Sequence, residues 1–124
     1  MTSPGPCSFF RIGKLTMWPG KWRRIYLIEN FSDERGNHAL KRQNTWIKVT
    51  DGAVNLRLDE GWPDEAKVVR LTPQSPPYFI PAGWWRIVTP ATPTASALFL
   101  TDTDYDEKDY IRDRDYYRKW MGIE

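Results

Sequence analysis

The chain has 124 residues, enough for one domain with a single buried core and too few for two. Its 18 basic and 16 acidic side chains leave a net charge of +2, which supplies no basic face for duplex nucleic acid. No apolar run reaches the roughly 20 residues of a membrane-spanning helix, and the opening M-T-S-P-G-P-C-S-F-F lacks the regions of a secretory signal.

Residues 1–8 read as an arm, and the alternating run 9–18 as a first strand closed by a turn at Pro19-Gly20. W-R-R-I-Y-L-I (22–28) is β-branched and aromatic, a second strand, and N-F-S-D-E-R-G a polar loop. In T-W-I-K-V-T-D-G-A-V-N-L-R-L (45–58), two alternating runs flank Asp51-Gly52, the signature of a two-residue hairpin. Ile47 and Val49 share one face, as do Val54, Leu56 and Leu58, which predicts a half-buried antiparallel pair. A turn at 60–63 and a strand at 66–71 follow, then a proline-rich bend. Y-F-I-P-A-G-W-W-R-I-V (78–88) holds a short strand, a turn and another strand; P-A-T-P-T is a loop and 96–100 the last strand. Short strands at this spacing predict an all-β sandwich or barrel over 9–101. Residues 102–124 lack a proline, and Tyr110, Ile111, Tyr117 and Trp120 or Met121 fall near helical spacing, so a helical tail is expected there.

One cysteine, Cys7, cannot form an internal disulfide, so a reducing, cytoplasmic setting is the expectation. One histidine and one cysteine are too few for a zinc or copper site, and D-T-D-Y-D-E-K-D lacks the glycine and terminal glutamate of a calcium loop. No metal is expected. The acidic run 102–109 offsets the basic clusters at Lys21–Arg24 and Lys41-Arg42, and all three read as solvated surface. Most of the seven tryptophans belong in the core or at a subunit seam.

His38, in E-R-G-N-H-A-L-K-R, is the only histidine. A lone histidine is more often a hydrogen-bonded structural residue than a catalyst. On a strand its side chain and that of Leu40 point the same way, and Tyr26 lies on the preceding predicted strand. Inward residues at one end of a small barrel form a mouth, a common place for a small ligand.

Five segments, W-R-R-I-Y-L-I, R-G-N-H-A-L-K, T-D-G, P-A-G-W-W and T-D-T-D-Y-D-E-K-D-Y-I-R-D, follow one another over about residues 22–118. In order and spacing this set resembles the dTDP-4-oxo-6-deoxyglucose 3,4-ketoisomerases, cupin enzymes of deoxysugar biosynthesis. The tail is the most specific match. The resemblance implies a double-stranded β-helix (cupin jelly-roll) with the helical tail against it, a homodimer, and a nucleotide sugar in the barrel mouth. It implies isomerisation without metal or cofactor, a proton leaving C3 and returning at C4. Carried over, Tyr26 and His38 are the candidate catalytic residues. Arg35, Asn44, Trp84, Trp85 and Arg86 are the candidates for substrate contact, the arginines suited to a diphosphate and the tryptophans to stacking on a sugar.

The chain departs from the family pattern at two positions. Leu40 stands for the second histidine of H-A-H, and Trp85 for the histidine of P-x-x-W-H. The metal-binding positions of the fold read His38, Leu40, Asn44 and Trp85, a single credible ligand. Three uses stay open: an isomerase with His38 as sole base, a cupin that binds a nucleotide sugar or other carbohydrate without turnover, or a structural subunit of a larger assembly such as a virion.

Overall fold

The computed structural model describes residues 23–123. The expected arm, first strand, Pro19-Gly20 turn and Cys7 lie outside them. The described residues form β1 (Arg24–Phe31), β2 (Arg35–Leu40), β3 (Thr45–Asp51), β4 (Val54–Asp59), β5 (Lys67–Leu71), β6 (Tyr78–Ile80), β7 (Trp85–Pro90), β8 (Ala95–Thr101), β9 (Tyr110–Ile111) and α1 (Arg114–Trp120). Single 3₁₀ turns at Pro63–Glu65 and Glu107–Asp109 complete the set. The strands build two antiparallel sheets, ordered β1-β8-β3-β6 and β5-β4-β7-β2-β9. The all-β jelly-roll expectation is met, with one short C-terminal helix.

Alternation explains how the sheets meet. Ile47, Val49, Ala97 and Phe99 from the four-stranded sheet interdigitate with Val54, Leu56, Leu58 and Val88 from the other, all buried in one core. Strand β8 is buried along its whole length, and on its outer face Leu98 and Leu100 cluster with Trp46 of the neighbouring strand.

The expected hairpin at Asp51-Gly52 does not form. Strand β3 pairs with β6 and β8, whereas β4 pairs with β5 and β7, so the turn carries the chain from one sheet to the other. Alternation states which face of each run is buried, and two such runs satisfy it across the core as well as side by side. The turn's neighbouring peptide groups go instead to the 91–94 loop: Ala53 N donates to Thr92 Oγ1 at 3.0 Å, and Ala53 O accepts from Ala91 N at 2.8 Å. Gly52 sits at φ +71°, and a Cβ there would lie 2.5 Å from Thr94 O.

The tail is less helical than its spacing suggests. Tyr110 and Ile111 form β9 beside Leu40 and Ala39, covering the edge of β2, and the helix begins only after Asp113, whose carboxylate caps Asp115 N. The acidic run is not all solvated surface either. Asp102 accepts from the backbone and side-chain amides of Asn44, both at 2.8 Å, and the buried Asp109 accepts from the backbone of Arg42 and Gln43. These carboxylates tie the tail to the 41–44 connection, where peptide groups otherwise lack partners.

Helix α1 seals the outer face of the five-stranded sheet over Ala39, Trp85 and Ile111. Tyr117 is its anchor: fully buried, it donates to Gly83 O at 2.6 Å. Burial pushes its phenol pKa up to about 12. Tyr117→Ala is expected to cost about 3–5 kcal/mol in urea unfolding, the range for removing a buried aromatic ring.

Candidate functional site

The barrel interior opens into a cavity of about 180 Å³ bounded by both sheets. Tyr26 reaches it from β1, Arg35, Gly36, His38 and Leu40 from β2, Thr45 from β3, Arg86 and Val88 from β7, and Tyr110 from β9. Parity accounts for Arg86 and Val88 pointing inward while Trp85 and Ile87 point outward. On β2 a bulge falls between Gly36 and His38. Gly36 at φ +87° and Asn37 at φ +62° carry the left-handed backbone that re-aims the chain, and His38 then faces the cavity opposite Arg86.

A Cβ on Gly36 would lie 2.9 Å from Arg86 O, so the bulge needs glycine for its dihedral and for this approach. Gly36→Ala is therefore expected to lower unfolding free energy by about 1–3 kcal/mol, measured by urea denaturation.

The electrostatics centre on one buried cation. Arg86 is 4% exposed, and its hydrogen bonds go to neutral oxygens: Thr45 Oγ1 at 3.2 Å, Trp84 O from both Nε and Nη2, and Pro81 O at 3.4 Å. None of the ion pairs among the described residues includes it. Burial lowers its pKa to about 10, which still leaves the guanidinium charged at neutral pH. Across from it, His38 packs edge-on to Tyr110 with ring centroids 4.8 Å apart, and its Nδ1 is buried without a hydrogen-bond partner. Burial first, then the charges of Arg86 and Arg112, lower the His38 pKa to about 4, so the ring is neutral. Tyr26 stacks on Phe99 at 5.1 Å, and burial raises its pKa, keeping a neutral phenol. A neutral imidazole, a phenol and a guanidinium with no direct carboxylate partner thus share one enclosed space.

Four of the sequence candidates, Tyr26, Arg35, His38 and Arg86, meet in this cavity, and Leu40 joins them. Three do not. Trp85 faces the opposite side of its sheet, buried under α1, where its indole Nε1 donates to Asn37 Oδ1 at 3.1 Å. It braces the bulge from behind and does not line the cavity. Trp84 packs against the core, and its carbonyl accepts from Arg86. Asn44 spends its amide on Asp102 and on Ala82 N, joining loops rather than facing a ligand. Thr45 and Tyr110 also line the cavity. Thr45 could have been found by its i+2 spacing from Ile47, while Tyr110 enters through a pairing of β9 that leaves no local signal. Among the described residues no three His, Cys, Asp or Glu side chains converge on a common point. No helix among them is long and apolar enough to cross a membrane.

A search of curated proteins finds no match. The family model described as FdtA, WxcM-like, C-terminal, matches residues 8–122. Among solved structures, a 3,4-ketoisomerase from Helicobacter canadensis is 28% identical with a TM-score of 0.80, over 87% of this chain and 81% of that one. QdtA, a sugar 3,4-ketoisomerase from Thermoanaerobacterium thermosaccharolyticum in complex with TDP, is 32% identical with a TM-score of 0.73, over 82% and 74%. A histidine-to-asparagine variant of QdtA is known in complex with TDP-4-keto-6-deoxyglucose. WlaRA, a TDP-fucose-3,4-ketoisomerase from Campylobacter jejuni, is 27% identical with a TM-score of 0.75, over 83% and 76%. Matched over nearly its whole length, the chain belongs to the FdtA family of WxcM-like C-terminal domains, and its neighbours in structure are sugar 3,4-ketoisomerases.

Proposed function

We propose that the chain binds a thymidine diphosphate-linked 4-keto-6-deoxyhexose, with the hexose in the barrel cavity, and moves its carbonyl from C4 to C3 using His38 as the sole base. The observation that carries this reading is Arg86, a buried guanidinium without a carboxylate partner, set opposite an unpartnered neutral imidazole. A buried cation costs stability unless something compensates it, and developing negative charge on a substrate oxygen would do so.

The steps follow from those groups. His38 takes the C3 proton, the C–H electrons form a C3=C4 double bond, and the C4 carbonyl electrons move to O4, beside Arg86. The O3 proton passes to O4, with the Tyr26 phenol in position to relay it. The C3 carbonyl then forms as C4 takes the proton from the imidazolium. Leu40, buried in the same cavity, cannot exchange protons. Both transfers therefore use one ring and one face of the enediolate.

A second reading, binding without turnover, is favoured by the low basicity of His38 together with Leu40. The histidine-to-asparagine variant of QdtA holds TDP-4-keto-6-deoxyglucose, so in that neighbour the keto sugar nucleotide is retained after a histidine is replaced. Proton NMR of dTDP-4-keto-6-deoxyglucose with the protein in D₂O separates the two. Appearance of the 3-keto isomer supports the enzyme, while saturable binding with neither isomerisation nor exchange at C3 supports the binding module. The proposal keeps one domain over residues 1–124 and the homodimer that the family resemblance implies, to be measured by sedimentation velocity.

A further inference from the structure

A working imidazole is ordinarily oriented by a hydrogen bond to the ring nitrogen that does no chemistry. His38 has none at Nδ1, which is buried without a partner, and its ring contact is the edge of Tyr110. The direction of the ring is therefore set by the backbone that carries it, and that backbone is the bulge of β2.

Gly36 lies opposite Ile87 and His38 opposite Arg86, which leaves Asn37 as the extra residue of the bulge. Its φ of +62° is left-handed, a region where a residue with a side chain stays only when its surroundings hold it. Burial does not hold Asn37, whose side chain is on the exposed part of β2. What reaches it is the indole of Trp85 on the paired strand, whose Nε1 donates to Asn37 Oδ1 at 3.1 Å.

That indole is firmly seated. Trp85 is buried, packs on Tyr117 with ring centroids 5.2 Å apart, and carries the Arg114 guanidinium 4.9 Å over its ring. Arg114 is in turn paired at 2.6 Å with the buried Asp59, the β4 residue opposite Trp85. Helix α1 and β4 thus fix the donor. One hydrogen bond passes that rigidity to the bulge, from the side of the sheet away from the cavity.

We propose that Trp85 and Asn37 are positioning residues for His38: the indole N–H pins the amide of the bulge residue and so fixes the direction in which the imidazole enters the cavity. The effect on turnover rests on the reading of His38 as the base; the effect on the ring does not. Misplacing a reacting group by about 1 Å can cost about 100-fold, so a contact behind the sheet can act on rate without touching the ligand.

The test uses the full-length protein, with circular dichroism to confirm folding. Its two readouts are steady-state turnover of dTDP-4-keto-6-deoxyglucose and titration of the single imidazole by NMR. Trp85→Phe keeps an aromatic ring and removes the donor, while Asn37→Gly keeps access to the left-handed backbone and removes the acceptor. Each is expected to lower kcat about 10- to 100-fold, with KM within a few-fold. Each is also expected to raise the His38 midpoint from about 4 toward 6.5, because a ring free to turn toward the mouth regains water and leaves Arg86. The other groups around it, Tyr26, Tyr110, Arg112 and Glu107, are the same in both variants. The double variant is expected to be no worse than either single one, since both remove the same hydrogen bond. Asn37→Asp, which keeps an acceptor oxygen, is expected to hold kcat within a few-fold of wild type. An unchanged midpoint and kcat in folded Asn37→Gly overturns the proposal, as do losses that add in the double variant. A wild-type protein that moves no carbonyl overturns the reading of His38 as base, and the midpoint in Asn37→Gly then decides by itself whether the pair sets the ring.

Discussion

His38→Ala is expected to move the carbonyl of dTDP-4-keto-6-deoxyglucose at no more than about a hundredth of the wild-type rate, since a positioned acid–base side chain is worth about 10²–10⁴-fold. Leu40 offers no substitute, and dTDP binding should stay within a few-fold because the imidazole lies in the cavity proposed for the hexose. Leu40→His places a second proton carrier on the same face and is expected to leave turnover intact or raise it. Unchanged turnover in His38→Ala would overturn the assignment of the base. Because the chain has one histidine, its imidazole proton can be followed alone by NMR, with an expected midpoint of about 4. That value lies below the roughly 6.5 of an unfolded chain, so the unfolded state binds the extra proton first. Stability is then full above about pH 6.5 and falls as pH drops toward 4, by up to ~3 kcal/mol from this group. The acid limb of kcat/KM should fall near pH 4 for the same reason.

Arg86→Met separates the ligand's need for charge from the fold's need for volume. Methionine fills much of the same space and removes the guanidinium. Loss of one partner of a buried charge pair costs about 2–5 kcal/mol, so turnover or keto-sugar affinity should fall at least about 30-fold. Stability should remain within about 1 kcal/mol of wild type, because the desolvated cation has only neutral acceptors to lose. The His38 midpoint should rise part of the way from 4 toward 6.5, as burial, the larger cause of its depression, remains. Unfolding of Arg86→Met, with no loss of ligand in variants that stay folded, would make Arg86 a structural residue.

The reach of the sequence is visible in particular elements. Alternation puts Ile47, Val49, Val54, Leu56 and Leu58 on buried faces, and all five lie in the core, because a period of two is a local property of the chain. The shared orientation of His38 and Leu40 was equally legible, since the bulge that interrupts β2 falls before both. The neighbours of those faces were not. Asp51-Gly52 reads as a hairpin and serves as a corner between sheets, and Tyr110-Ile111 reads as helix and serves as an edge strand. At Trp85, counting from the family motif placed the side chain in the mouth, whereas alternation from Arg86 puts it behind the sheet against Asn37.

Residue order alone establishes an all-β chain, the parity of its strands, the family resemblance carried by R-G-N-H-A-L-K and the tail, and a leucine at position 40 where that resemblance implies a histidine. Those properties depend on residues within a few positions of one another. The unpaired charge of Arg86, the orphaned Nδ1 of His38 and the hydrogen bond that joins Trp85 to Asn37 arise from packing between residues up to about eighty positions apart. Burial, and with it the cost of a charge and the direction of a pKa, belongs to the assembled barrel, because water is excluded only once both sheets and the tail are in place.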